Sequence, residues 1–238
     1  MITNAAIEDI LFIDIETVPA APALGEVSEA MQLFWEKKAK GFRTEGESPA
    51  ELYERAGIYA EFGRIICISA GFMTGSSFRI KSVYGDDEKS LLGEFAGVVS
   101  RWAGRKDPWL CGHNAREFDF PYMARRMIVN RIRIPELLDT SGKKPWEVKY
   151  LDTMDLWKFG DYKHFTSLAL LAEILGIPTP KDDIDGSMVA SVYWKERDTE
   201  RIVKYCEKDV LTVARVLLRF MGKDTIPDEN VESLTRFQ

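Results

Sequence analysis

Hydrophobic and polar positions along this chain fall into two rhythms. The run Leu11-Phe12-Ile13-Asp14-Ile15-Glu16-Thr17-Val18 is apolar at both odd and even positions, which predicts a strand buried on both faces. Arg64 to Met73 repeats that character. Ser77 to Tyr84 then alternates apolar with polar, the pattern of an antiparallel partner across a Thr-Gly-Ser-Ser turn. From Glu88 to Ala103 the rhythm becomes helical, with Leu91, Leu92, Phe95, Val98, Val99 and Trp102 on one face and Asp86 and Asp87 as a cap. Trp109 to His113 predicts a short strand, Phe118 to Asn130 a helix, and Lys149 to Leu156 another strand. Thr166 opens a helix through Leu175 that Gly176 and Pro178 end, and residues 187–197 and 199–221 predict two more. Between the first two strands, Ser28 to Lys40 reads as a helix capped by Ser28, and Pro49 to Ala60 as a second. Residues 20–61 are too short for a core of their own and form a helical excursion within a single domain spanning 1–238. Strands first, then strands alternating with helices, predict an α/β fold with helices packed on a mixed sheet.

Three carboxylate features interrupt these apolar patterns. Asp14 and Glu16 are two apart on a strand, so they leave the same face roughly 6–7 Å apart. Two like charges on a buried strand repel and lose solvation, and a proton, a Lys or Arg partner, or divalent cations must offset that. In the last long helix the stripe Ile202, Tyr205/Cys206, Asp209/Val210, Val213, Val216/Leu217, Phe220 contains Asp209, with Tyr205 one turn before it on the same face. In Gly112-His113-Asn114-Ala115-Arg116-Glu117-Phe118-Asp119-Phe120-Pro121 a strand runs out and a helix begins. Asp119 alone also reads as the N-cap of a helix starting at Pro121, since Asp before a Pro at the first helical position is a strong cap signal.

Composition narrows the setting. The chain has 238 residues, 45% hydrophobic and 29% charged, as in a globular protein. No apolar run reaches ~18 residues, so no membrane span is expected, and Asp14 and Glu16 interrupt the only N-terminal apolar run, against a secretory signal. Cys67, Cys111 and Cys206 are scattered among apolar residues and read as reduced core thiols, neither zinc ligands nor a disulfide frame, of a cytoplasmic protein. Only His113 and His164 are present, against a histidine-rich metal site. Net charge is −6, yet Arg125, Arg126, Arg131, Arg133, Lys143, Lys144 and Lys149 face only Glu136, Asp139 and Glu147 within 125–149. That segment reads as a solvated charged face or as a contact for a phosphate backbone. Lys163, His164 and Lys181 are weaker candidates for the same contact.

Taken together, an Asp-x-Glu on the first strand, an Asp at a mid-chain strand-to-helix junction and a Tyr-x-x-x-Asp on the last long helix resemble the DEDD superfamily of 3′-to-5′ exonucleases. That superfamily has a ribonuclease H-like fold. Asp14 and Glu16 match its first motif, Asp119 its second, and Tyr205 and Asp209 its third in the tyrosine form. The histidine form would need His where Lys204 stands. Asn114-x-x-x-Phe118-Asp119 is similar to the second motif of proofreading domains in family-B DNA polymerases. Leu175-Gly-Ile-Pro-Thr-Pro-Lys-Asp-Asp-Ile-Asp-Gly-Ser187, followed by Tyr205-Cys-Glu-Lys-Asp-Val210, is similar to the stand-alone predicted exonucleases related to those domains. The resemblance spans nearly the whole chain, including the 20–61 excursion, and implies a five- or six-stranded mixed sheet flanked by helices.

It also implies chemistry. Hard oxygen ligands suit two Mg²⁺ or Mn²⁺ ions, which together support phosphodiester hydrolysis. By the family pattern Asp14 bridges both ions, Glu16 and Asp209 hold the one nearest the attacking water, Asp119 serves the other, and Tyr205 orients the water. With a pKa near 10 a tyrosine is a poor general base at neutral pH. Asn114 and Phe118 match positions facing the terminal nucleotide, Thr17 and Val18 follow the first motif, and Arg125 and Arg126 open the basic segment. The expected substrate is the 3′ end of single-stranded DNA, released as nucleoside 5′-monophosphates. RNA ends are the nearest alternative, and an inert nucleic-acid-binding or scaffold domain the alternative of another class. A phosphatase of the haloacid-dehalogenase type is disfavoured because its first strand wants Asp-x-Asp. Asp152 and Asp155 read as hydrogen-bonders within the fold, and Asp182, Asp183 and Asp185 as a solvated loop.

Overall fold

The computed structural model describes residues 3–161, 165–178 and 184–237. Its six strands are β1 Ile10–Pro19, β2 Gly63–Thr74, β3 Ser77–Tyr84, β4 Trp109–Gly112, β5 Tyr150–Asp152 and β6 Val231–Ser233. They form one mixed sheet in the order β5-β4-β1-β2-β3-β6. β1 runs antiparallel to β2 and parallel to β4, so it lies near the middle of the sheet. β4 and β5 are parallel, as are β3 and β6, whereas β2 and β3 are antiparallel. This is the expected α/β architecture, consistent with a ribonuclease H-like fold.

Alternation along β1 gives each face its own cover. Leu11, Ile13 and Ile15 join a core with Leu92, Phe95 and Val99 of α2 (Glu88–Trp102) and Phe120, Met123 and Met127 of α3 (Asp119–Val129). Ile10 and Phe12 point the other way, into a second core with Val210, Val213, Ala214 and Leu217 of α7 (Thr199–Phe220). Asp14 and Glu16 continue that second series, toward the face that α7 covers. Asp198 caps α7 by accepting from the Arg201 N–H at 3.0 Å. Gly71 makes room for both the Phe78 ring and the helix, because a Cβ there would stand 2.6 Å from Phe78 and 2.9 Å from a Val210 methyl carbon. A register shift between Glu16 and Thr17 places an extra residue of β2 opposite β1, a bulge in β2 just after the second carboxylate.

The structure departs from the sequence-based elements in several places. The strand expected over Lys149–Leu156 stops at Asp152, whose carboxylate caps α4 (Thr153–Lys158) through the Met154 and Asp155 N–H groups. Thr166 lies ahead of α5 (Leu168–Ile174), which Ser167 caps. The helix expected over 187–197 is α6 (Val189–Ser191) running into a π-helical stretch, Val192–Glu196. Pro49–Ala60 holds a 3-10 helix at Glu51–Ile58, and Ser28 caps α1 (Glu29–Ala39) as expected. The excursion does bury apolar groups of its own. Trp35 packs edge-on to Tyr53, Phe42 and Phe62, and its indole N–H donates to the Pro49 carbonyl at 2.7 Å. β6 has no apolar run to announce it, and beside β3 it is fixed by backbone pairing and the Arg79–Glu232 ion pair at 3.0 Å. No helix among the described residues is long and apolar enough to cross a membrane.

Candidate active site

β1 brings Asp14 and Glu16 to α7, and the turn after β4 brings Asp119 in beside them. β4 ends at Gly112, while β1 continues past it. The Ile15 N–H beyond that end donates to Asp119 Oδ1 at 3.1 Å. Asp119 is the first residue of α3, with Phe118 in the capping position, and its side chain serves β1 as well as its own backbone N–H. It is 4% exposed and Glu16 is 7% exposed, whereas Asp14 keeps partial access to solvent. From α7, Tyr205 hydrogen-bonds Asp209 and lies within electrostatic reach of Glu16 and Asp14.

Burial and mutual repulsion govern the protonation of this cluster. Desolvation first, and then the charges of Asp119 and Asp209, lift the Asp14 carboxyl well above the ordinary carboxylate range. Glu16 is lifted by the same desolvation and by Asp14 and Asp209. Asp119 is pushed up to about 7 by burial, with the Ile15 N–H pulling the other way. Burial and the neighbouring carboxylates push the Tyr205 hydroxyl far above its usual value, so it keeps its proton. None of Asp14, Glu16 and Asp119 pairs with a Lys or Arg among the described residues; the charges that face them are other acids. One further side chain belongs to the cluster and escaped the sequence reading. Cys206 places its Sγ 3.3 Å from Asp14 Oδ2, and one oxygen each of Asp14 and Glu16 lies with that sulfur inside a 4.8 Å group.

Glu16 also opens on a cleft of about 580 Å³, walled by Ile15, Thr17, Phe118, Gly57, Ile58, Arg55 and Ser187 among others. Thr17 and Phe118 thus line a cleft that Glu16 also lines. Arg55 and Gly57 come from the excursion and Ser187 from the segment before α6, contributions that no local pattern announces. Phe118 is steadied by Tyr122, with ring centroids 5.4 Å apart, and the Tyr122 hydroxyl donates to the Gly57 carbonyl at 2.8 Å.

Three expected contacts are placed elsewhere. Val18 is fully buried beneath Val189, Val192, Tyr193 and Ile202, so it cannot line the cleft. Asn114 sits at φ 60° with its N–H on Asp152 and its Oδ1 buried without a hydrogen-bond partner among the described residues; it is not among the cleft walls. Arg126 spends its guanidinium within the fold. Its Nε and Nη2 donate to Glu88 at 2.9 and 2.6 Å and its Nη1 to the Ala60 carbonyl at 2.9 Å, while Glu88 also accepts from the Ile65 N–H. Arg126→Ala is therefore expected to cost about 3 kcal/mol, because Glu88 loses its buried counter-ion. Denaturant unfolding checks the loss. A raised KM for single-stranded substrate at unchanged stability would return Arg126 to the substrate.

The rest of the basic segment is dispersed. Arg125 is exposed on α3, Lys149 pairs with Asp107 at 2.9 Å, Lys143 donates to the Glu136 carbonyl, and Lys144 lies over Trp146. Lys163, His164, Lys181, Asp182 and Asp183 lie outside the described residues. Asp152 and Asp155 do bond within the fold: Asp152 accepts four backbone N–H groups, and Asp155 pairs with Lys158 and Arg116. His113 is held between Thr153 Oγ1 and the Thr166 carbonyl, and burial lowers its pKa, which keeps it neutral.

A comparison with protein families matches residues 58–234 to a family described as a predicted 3′-5′ exonuclease related to the exonuclease domain of PolB. The match covers about three-quarters of the chain and includes Asp119, Tyr205 and Asp209; β1 and most of the excursion precede it. No curated protein matches. With that family spanning β2 to β6 and its last helix carrying Tyr205 and Asp209 against β1, the chain belongs to the predicted 3′-5′ exonucleases related to the exonuclease domain of PolB.

Proposed function

We propose that this protein is a metal-dependent 3′-5′ exonuclease of the DEDD type in its tyrosine form, which removes nucleoside 5′-monophosphates from the 3′ ends of single-stranded DNA. The observation that carries the reading is the convergence of four carboxylates on one partly open patch, where burial and their own charges oppose ionisation. Asp14, Glu16 and Asp119, which pair with no Lys or Arg among the described residues, fit divalent cations, and carboxylate oxygens are hard ligands of the Mg²⁺ or Mn²⁺ class. Asp14, Glu16, Asp119 and Asp209 would hold two ions. When bound, the ions offset the carboxylate repulsion, acidify the attacking water and stabilise charge on the phosphate.

The side chains have separate tasks. Tyr205 keeps its proton, so it acts by hydrogen bonding to orient the water rather than as a base. Asp209 fixes the tyrosine through their shared hydrogen bond. In the cleft beside Glu16, the Phe118 ring gives the terminal base an aromatic surface and Thr17 lines the same cleft. A terminal nucleotide with an unpaired base fits a cleft of about 580 Å³, which makes a free single-stranded end the substrate this wall favours.

End-labelled single-stranded DNA and RNA, offered side by side with Mn²⁺ and with a chelator, test this reading. Stepwise shortening from the 3′ end is expected, faster on DNA and absent in chelator. Cleavage of a circular single strand would sink the exonuclease assignment. Tyr205→Phe is expected to lower kcat about 10–100-fold while Mn²⁺ affinity, read by calorimetry, stays within about twofold. A large loss of Mn²⁺ binding would contradict the water-orienting role.

A further inference from the structure

Read along the chain, Cys206 is one of three core thiols, yet the fold sets it against Asp14, 192 positions away in sequence, as well as against the Cys67 thiol. Its Sγ lies 3.3 Å from Asp14 Oδ2 and 3.5 Å from the Asp14 carbonyl. Glu16 completes the group: sulfur and one oxygen from each acid all lie within 4.8 Å of one another. Glu16 is 7% exposed and faces into this group, where burial and neighbouring acids, not a donor, set its protonation, so a buried carboxyl group is aimed at the sulfur.

Two ligands of one tetrahedral zinc ion, at about 2.3 Å for sulfur and about 2.0 Å for oxygen, stand roughly 3.5 Å apart. The sulfur and Asp14 Oδ2 are already at that spacing. Moving Glu16 by about an ångström closes the third edge, which a rotamer adjustment supplies. Hard ions such as Mg²⁺ keep octahedral oxygen shells and gain nothing from a thiol, whereas Zn²⁺ and Cd²⁺ accept sulfur with oxygen at four-coordinate sites and outrank Mn²⁺ in intrinsic affinity.

We propose that Asp14, Glu16 and Cys206 form a thiolate–carboxylate site for a thiophilic divalent ion of the Zn²⁺ and Cd²⁺ class, and that its occupancy inhibits hydrolysis. The inhibitory step rests on the exonuclease reading; the metal site itself does not. On binding, the thiol S–H bond gives its proton to solvent, a sulfur–metal bond forms, and water or a phosphate oxygen takes the fourth position. Asp14 and Glu16 are then committed to a four-coordinate ion beside sulfur, and the all-oxygen arrangement that hydrolysis needs cannot assemble.

The full-length chain, stripped with chelator, is titrated with Cd²⁺ while the ultraviolet thiolate-to-metal charge-transfer band is followed. Wild type and Cys67→Ser are expected to develop the band at one equivalent, and Cys206→Ser and Cys206→Ala to lack it. Asp14→Asn is expected to weaken Cd²⁺ binding at least tenfold. A band that persists without Cys206, that needs Cys67, or that is missing in wild type overturns the site, as does unchanged affinity in Asp14→Asn. In parallel, Zn²⁺ is expected to inhibit Mg²⁺-supported hydrolysis by wild type at a concentration at least tenfold below that needed for Cys206→Ser. Equal sensitivity overturns the inhibitory role. A Cd²⁺ band in a protein that never degrades DNA would leave the metal site standing and sink the exonuclease reading; degradation without the band would do the reverse.

Discussion

Asp14→Asn is expected to abolish nuclease activity, on the order of a thousandfold or more, and at the same time to make the metal-free protein more stable than wild type above neutral pH. Both effects have one cause. Asp14 is lifted by burial and by the charges of Asp119 and Asp209, Glu16 is lifted in turn by Asp14, and Asp119 is pushed up to about 7. A folded-state pKa above the unfolded value of ~4 means that the folded chain binds more protons than the unfolded one, so stability falls as pH rises from about 4 through 7 and beyond. For Asp119 alone, holding a carboxyl near 7 rather than near 4 costs roughly 4 kcal/mol at a pH above both values. An amide at position 14 removes one buried charge and the repulsion it exerts, and its oxygen still accepts from the Cys206 thiol. In chelator at pH 8 the variant should gain about 2 kcal/mol, or about 4–8 °C in Tm, and at pH 5 the difference should shrink. Adding Mn²⁺ should reverse the order, because only wild type has the full ligand set. Thermal unfolding with and without metal at both pH values checks this. Wild type matching or exceeding Asp14→Asn in chelator at pH 8 would show that the cluster's charges are not a burden to the fold.

The parts of this arrangement that were legible in sequence share a property: each shows locally. β1 announced itself because both parities are apolar except at Asp14 and Glu16, and α7 because its stripe runs unbroken around Asp209. Residues placed by distant partners did not. Arg126 read as part of a basic segment, since nothing near it says that Glu88, 38 positions earlier, will meet it on α2. Val18 shares parity with the two acids and was expected beside them, but α6 and its π-helical continuation cover it. Asp119 also looked like a helix cap because Pro121 follows; the early end of β4, which leaves the Ile15 N–H to be satisfied, decides otherwise. Cys206 was the least visible of all, a common core residue type whose role depends on which strand its helix lands on. Long-range pairing also explains why an assembled site can be inferred from motif order while its walls, Arg55 and Ser187, cannot.

Asp152→Ala is expected to be the most destabilising single change near the site, on the order of 4–6 kcal/mol, a large share of an ordinary domain's stability. Asp152 is 2% exposed and its two oxygens serve four backbone donors. Oδ1 accepts from Asn114 at 2.9 Å, Met154 at 2.9 Å and Asp155 at 3.4 Å, and Oδ2 accepts from Arg116 at 3.0 Å. One carboxylate thus caps α4 and holds the turn from β4 into α3, where Asn114 carries a left-handed φ of 60° that a β-carbon disfavours. Truncation strands four N–H groups where water has little access, and the turn relaxes. Asp152→Asn separates the contributions. Its oxygen retains the three donors on one side, but its NH₂ then faces the Arg116 N–H, two donors without an acceptor between them. A loss of about 2 kcal/mol is expected, read as a lower urea midpoint at unchanged m-value. The same turn leads through Phe118 into Asp119, so the amide variant should also lose about tenfold in nuclease rate per folded molecule, a displacement effect without loss of any ligand. An Asp152→Asn protein with the wild-type midpoint would mean that the turn is held by packing of Ala115 and Phe120 instead. The carboxylate at 152 would then have no claim on the geometry of Asp119.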